Sequence, residues 1–178
     1  MKVRMITVSA LIIALLIITA PLKFKLGELS FTLQTFFVMF SALLLGKKGW
    51  IPVLLYVAIG LAGVPVFSDG GGIAYILKLS FGYIIGFVVS SLVVGFLLKK
   101  ESSFLYDTTI VIIGTVIIYA IGIPYANVLL RSVVHKPMSY SAMLTPFMLV
   151  FLPGDILKAV IAVWVSRTLK QRGVRYDD

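Results

Sequence analysis

Apolar residues come in six runs along this chain, each closed by charge or by helix-breaking residues. They are Met1 to Ala20, Leu29 to Leu45, Ile51 to Val64, Ile76 to Leu98, Thr108 to Leu130 and Leu152 to Leu169. A membrane-crossing helix needs roughly 20 mostly apolar residues, and the longer runs reach or approach that length. The third is short and holds Pro52, Gly60, Gly63 and Pro65, which predicts a kinked or tilted segment whose freed backbone groups are satisfied by neighbours. Between the fifth and sixth runs, Pro146 to Phe151 is too short to span and reads as an interfacial or re-entrant piece. The first run, with Lys2 and Arg4 ahead of it, has the outline of a secretory leader. Pro21 directly after Ala20 disfavours cleavage, so the expectation is a retained first transmembrane helix.

Composition agrees with this pattern. The 178 residues are 60% hydrophobic and 13% charged, with a mean hydropathy of +1.09. A soluble domain has roughly 45–50% apolar and about 25% charged residues. The expectation is one all-α membrane domain over residues 1–178, with six transmembrane helices. The net charge of +9 does not imply a nucleic-acid partner, because the basic residues punctuate apolar runs as membrane-flanking charges do. With six crossings, Lys2, Arg4, Lys47, Lys48, Lys99, Lys100, Arg167, Lys170, Arg172 and Arg175 share one side. Lys23, Lys25, Lys78, Arg131 and Lys136 take the other. Ten against five places both termini in the cytoplasm by the positive-inside rule.

Polar groups inside the apolar runs are where chemistry is expected, since a charge at the bilayer centre costs about 2.5–3.5 kcal/mol. In Leu152-Pro-Gly-Asp-Ile-Leu-Lys158, proline suits a first helical turn. Asp155 then sits where the helix dipole favours an anion, and Lys158 follows three residues on, on the same face. The pair either bridges only to itself, anchoring the helix end, or is aimed at a polar solute. With both termini inside, Gln34, Lys78, Tyr83, Asn127, Asp155 and Lys158 all fall in the outer half of the membrane. A proton or ion path would stagger polar groups through the full depth; a one-sided cluster suits capture of a solute from outside. For Gln34 and Asn127 the competing reading is an interhelical hydrogen bond worth roughly 0.6 kcal/mol.

The solute can be outlined from the same residues. Amide and carboxylate groups of Gln34, Asn127 and Asp155 match donors and acceptors on a neutral polar ring, and Lys158 or Lys78 would neutralise an acid. Tyr75, Tyr83, Phe36, Phe67 and Trp164 are candidates for an apolar wall, Phe67 with the better case because it stands in the glycine-rich loop Val64 to Ile73. That loop allows close backbone approach but lacks the lysine and hydroxyl of a phosphate cradle. Absence of cysteine removes thiolate chemistry, and the lone histidine, His135, is read as a loop residue. No catalytic set, metal site or cofactor is expected. On the first helix, Ala10 and Ala14 form a small-residue strip that lets another helix approach closely.

Four segments resemble the biotin-specific S component of the energy-coupling factor (ECF) transporters. They are Phe31-Thr-Leu-Gln-Thr-Phe-Phe37 with Leu44-Leu-Gly46, Tyr56 to Phe67, Gly82-Tyr-Ile-Ile-Gly-Phe87, and Phe151 to Lys158. The resemblance implies the six-helix S-component fold and biotin bound near the extracellular face. Asn127 and Asp155 would meet the ureido group, and Lys158 a polar end of the ligand. It implies that Ala10 and Ala14 dock against the transmembrane coupling subunit (T component), and that two ATP-binding-cassette ATPases supply energy to a subunit with no nucleotide motif. The location implied is a prokaryotic cytoplasmic membrane. The chain departs from the family pattern at Lys78-Leu-Ser-Phe-Gly-Tyr83, where Gly-Pro-Thr-Gly-Gly-Tyr is usual, and at Ser30-Phe31, where a proline is usual. The alternatives are an S component for another small vitamin-like carboxylate and a stand-alone secondary transporter, although no internal repeat supports the latter.

Overall fold

The computed structural model describes residues 2–26 and 29–172. Glu28, Arg175 and the side chains of Lys2, Arg4, Lys25 and Phe31 lie outside the described residues. Seven helices follow in order: α1 (Lys2–Thr19), α2 (Gln34–Leu45), α3 (Trp50–Leu61), α4 (Phe81–Leu97), α5 (Phe104–Ser132), α6 (Tyr140–Leu144) and α7 (Leu152–Gln171). A two-stranded antiparallel hairpin, β1 (Lys23–Leu26) and β2 (Leu29–Thr32), joins α1 to α2 with Lys23 opposite Thr32.

The hairpin corrects the second apolar run, which does not begin as helix at Leu29. Lys-Phe-Lys-Leu and Leu-Ser-Phe-Thr alternate with a period of two, the period of a strand. The helix starts only at Gln34, whose backbone N–H donates to Thr32 Oγ1 at 3.3 Å. The last run starts as helix at Leu152, as expected, and what differs is the segment ahead of it. Residues Thr145–Leu149 form a π-turn that continues α6, and the combined segment meets α7 at a 44° bend. Pro146 lies in that turn, where a missing N–H is tolerated.

Among the described residues α5 alone, at 29 residues, is long and apolar enough to cross a membrane by itself. The pair α2–α3 and the pair formed by residues 140–149 with α7 pass that test together, the first across a 120° bend. At 12 residues each, α2 and α3 rise only about 18 Å.

Packing is tightest between α4 and α5. A Cβ on Gly86 would lie 2.9 Å from the Ile118 Cα, and one on Gly122 would lie 2.7 Å from the Tyr83 ring. Small residues substitute for a hydrophobic driving force between helices in lipid, because they bring backbones within dispersion range. On α1, Ile12 and Leu16 face the core while Ala10, Ala14, Leu11 and Ile18 are exposed.

Apart from Asp155 and Lys158, the charged contacts of the described residues mark two ends of the bundle. Lys23 reaches the tip of the 64–72 loop at one end, pairing with Asp69 and donating to the Ser68 carbonyl. At the other end Lys47 lies over Phe96, Lys99 over Tyr106, and Arg167 pairs with Asp107 at 2.6 Å.

Candidate functional site

Proline and glycine start α7 as the sequence predicts, with Pro153 in the first turn and Asp155 just behind it. Asp155 and Lys158 are 6% and 7% exposed, and their Oδ1 and Nζ atoms lie 2.5 Å apart. The pair does not close on itself. The Lys158 ammonium also donates to the Thr32 carbonyl at 2.9 Å and to Thr35 Oγ1 at 2.7 Å. Thr35 Oγ1 in turn donates to Asp155 Oδ1 at 3.1 Å, and the Tyr119 hydroxyl donates to Asp155 Oδ2. Residues of β2, α2, α5 and α7 thus meet on one carboxylate and one ammonium. Breaking such a buried pair by removing one partner costs about 3–5 kcal/mol.

This network forms one wall of a cavity. Thr32, Gln34, Thr35, Asp155 and Lys158 supply the polar side, and Ser68 and Asp69 of the glycine-rich loop lie across it. Ile84 and Phe87 of α4, Ile118 and Tyr119 of α5, and Phe151 make the apolar side, completed by Tyr75, Ser80 and Tyr83. Ligand pockets commonly combine mostly apolar walls with a few placed polar groups. Gln34 is itself held: its Nε2 donates to the Tyr56 hydroxyl at 2.6 Å, and its Oε1 accepts from Ser68 at 3.3 Å. Tyr56 in turn donates to the Val66 carbonyl at 3.0 Å, tying the amide to the loop's root. Burial pushes the Tyr75 phenol above its ordinary pKa, so it stays a neutral hydroxyl near neutral pH.

The loop can lie this close only because of its glycines. Gly70 and Gly72 have φ of 116° and 92°, a region that side chains disfavour. A Cβ on Gly71 would stand 2.1 Å from the Val64 carbonyl oxygen.

Of the residues singled out from sequence, the structure brings Gln34, Tyr75, Tyr83, Asp155 and Lys158 to the cavity and leaves Phe67, Lys78, Asn127, Phe36 and Trp164 elsewhere. Phe67 stands behind the wall rather than in it. It is buried, with ring centroids 5.5 Å from Tyr56 and 4.6 Å from Tyr75. Lys78 is exposed at the break before α4. Asn127 is buried against α6, where its Nδ2 donates to the Met138 carbonyl at 2.9 Å and contacts Met143 Sδ at 3.1 Å. It closes the α5–α6 connection, which is the interhelical reading weighed for it above. Among the aromatic candidates, Phe36 stacks on Phe40 and Trp164 is 63% exposed, so neither lines the cavity.

Thr35 and Tyr119 were missed. Thr35 stands beside Gln34 in the Thr-Leu-Gln-Thr segment, and a polar residue so close to the hairpin was a usable signal. Tyr119 carries none, since a tyrosine inside an apolar run reads equally as core. Ser80, at the departure from the family pattern, lines the cavity; Lys78, two residues earlier, does not.

Known proteins resemble this chain over nearly its full length. A 42% identical relative, a probable biotin transporter BioY of Lysinibacillus sphaericus, aligns over 74% of this chain and 69% of its own. The biotin transporter BioY of Thermotoga maritima is 34% identical over 94% of this chain and 96% of its own. A crystal structure of the S-component for biotin from an ECF-type ABC transporter superposes with a TM-score of 0.83 at 31% identity. That match covers 96% of this chain and 92% of the other. The relatives are named as transporters, and the S-component fold expected from the sequence is the fold of this chain. Matched by the family model over residues 1–175, the chain belongs to the BioY family.

Proposed function

We propose that this chain captures biotin from the extracellular side of a prokaryotic cytoplasmic membrane, as the substrate-binding subunit of an ECF-type importer. The observation that carries this reading is the buried Asp155–Lys158 pair set in the wall of a part-apolar, part-polar cavity. A ureido group has two N–H donors and one carbonyl acceptor. Asp155 Oδ atoms, with about four lone-pair sites between them, accept from Thr35, Lys158 and Tyr119 and retain capacity for a ligand N–H. The second N–H of the Gln34 amide, whose first is held by Tyr56, offers a donor. Ile84, Phe87 and the rings of Tyr83 and Tyr119 suit a thioether ring and an alkyl tail.

The remaining parts follow from the same reading. The chain crosses the membrane six times with both termini cytoplasmic, Lys47, Lys99 and Arg167 marking the inner end and the cavity the outer. Ala10 and Ala14, exposed on α1, dock against a T component, and two ATPases supply the energy. No specific observation favours a stand-alone transporter or another vitamin-like acid. Purifying the full chain without added ligand and identifying what it retains by mass spectrometry tests the proposal. Retained biotin is the expected result. A different ligand, or none together with no binding of added biotin, would refute it.

A further inference from the structure

Two polar pairs cross between α5 and α7, and their spacing matches on both helices. Tyr119 donates to Asp155 beside the cavity, and Asp107 pairs with Arg167 at the opposite end. Twelve positions separate Asp107 from Tyr119, and twelve separate Asp155 from Arg167, as two rungs between antiparallel helices require. At 1.5 Å rise per residue the rungs stand about 18 Å apart.

Between the rungs little else within the α5–α7 contact fixes the register, while Lys158 ties α7 to Thr32 and Thr35 on its other side. The buried side chains of α7 there are Ala159, Ala162, Val163 and Ser166 with Lys158, mostly small. The intervening hydroxyls turn back on their own helices: Thr108 bonds the Phe104 carbonyl, Thr115 that of Val111, and Ser166 that of Val163. A smooth apolar contact in lipid resists sliding and rotation weakly. A buried ion pair is best attested as a device for register rather than for raw stability; here the carboxylate is buried and the Arg167 side chain is 33% exposed. The inner rung is built for this. Asp107 is 2% exposed, accepts from Ser102 Oγ at 2.6 Å, and takes Arg167 Nη1 on its other oxygen at 2.6 Å; the same nitrogen donates to the Ser102 carbonyl at 3.0 Å.

We infer that Asp107 and Arg167 are positioning residues for the ligand site: they set the height and rotation of α7, so that Asp155 meets Tyr119 and Thr35 and Lys158 meets Thr32. This inference rests on the biotin reading above. It also implies reciprocity, since a ligand that tightens the outer rung must stabilise the inner one by the same coupling.

The test measures biotin affinity of the full chain in detergent for wild type, Arg167→Gln, Arg167→Lys, Tyr119→Phe and the double variant Arg167→Gln/Tyr119→Phe. Arg167→Gln is expected to weaken binding roughly tenfold, and Arg167→Lys, which keeps a cation beside Asp107, less than threefold. In the Tyr119→Phe background the Arg167→Gln change should cost clearly less than tenfold, because one of the contacts it acts through is already gone. A purely structural role for Arg167 gives multiplicative losses instead, and that result would overturn the inference. So would Arg167→Gln binding biotin like wild type. A second measurement needs no variant: biotin should slow amide exchange in residues 164–171, at the far end of α7, and unchanged exchange there refutes the coupling. If wild type itself binds no biotin, the functional reading falls and this inference with it. Binding with an insensitive inner rung sinks the inference alone.

Discussion

Replacing Asp155 by asparagine changes one oxygen for an NH2 and removes one charge, so its consequences can be worked atom by atom. In the native network Asp155 accepts from Lys158 and Thr35 on one oxygen and from Tyr119 on the other. Asparagine can still accept from Lys158 and Thr35, but its amide then faces Tyr119, whose hydroxyl must reverse from donor to acceptor. Lys158, 7% exposed, loses its counter-charge, and an uncompensated buried partner costs about 3–5 kcal/mol. Part of that loss falls on stability in the absence of ligand. For biotin, the variant trades a charged acceptor for a neutral one. Hydrogen bonds to charged groups are worth about 1.5–3 kcal/mol and neutral ones about 0.5–1.5 kcal/mol, so the difference of about 1–1.5 kcal/mol should lower affinity roughly 5- to 12-fold. Isothermal titration of the detergent-purified chain reads the affinity, and thermal unfolding of the same sample reads the stability. The double variant Asp155→Asn/Lys158→Met separates the two effects. Removing both charges should recover much of the melting temperature, because a neutral pair leaves no orphan charge, while biotin binding stays weak. Wild-type affinity in Asp155→Asn would refute the reasoning. So would full recovery of binding together with stability in the double variant.

Other perturbations test the remaining parts. Ala14→Trp fills the exposed face of α1 and should leave biotin affinity intact while abolishing uptake by cells that carry the coupling subunits; surviving uptake places the docking face elsewhere. Lys78→Ala should leave biotin affinity within about twofold, an energy difference of about 0.4 kcal/mol, because Lys78 is exposed and outside the cavity wall. Asn127→Ala should lower the unfolding free energy by about 1–3 kcal/mol, since it leaves the Met138 carbonyl without its donor, with affinity of the folded protein largely kept. Gly71→Ala drives a methyl into the Val64 carbonyl, displaces Ser68 and Asp69 from the cavity, and should weaken biotin roughly tenfold in the same titration.

The sequence by itself determined the membrane class, the start of α7, the central part of α5, and the anomaly of Asp155 and Lys158 inside an apolar run. Each of these is a local property. An apolar run shows its length directly, and a carboxylate with an ammonium inside such a run is anomalous whatever surrounds it. Pro153 ahead of Asp155 placed the pair in a first helical turn, where the structure has it. The hairpin of β1 and β2 was also legible, through its alternation, but was masked by the apolar run that follows it. Only the tertiary structure decided which other groups stand beside that pair. Thr35 reaches Asp155 from 120 positions away and Tyr119 from 36, and neither looks unusual among its own neighbours. It also decided that Asn127, as polar and as deeply set as Gln34, turns to Met138 while Gln34 turns to the cavity. A side chain's depth along the membrane follows from its position in an apolar run. Its direction depends on how the helices rotate against one another, and that rotation comes from contacts between distant residues.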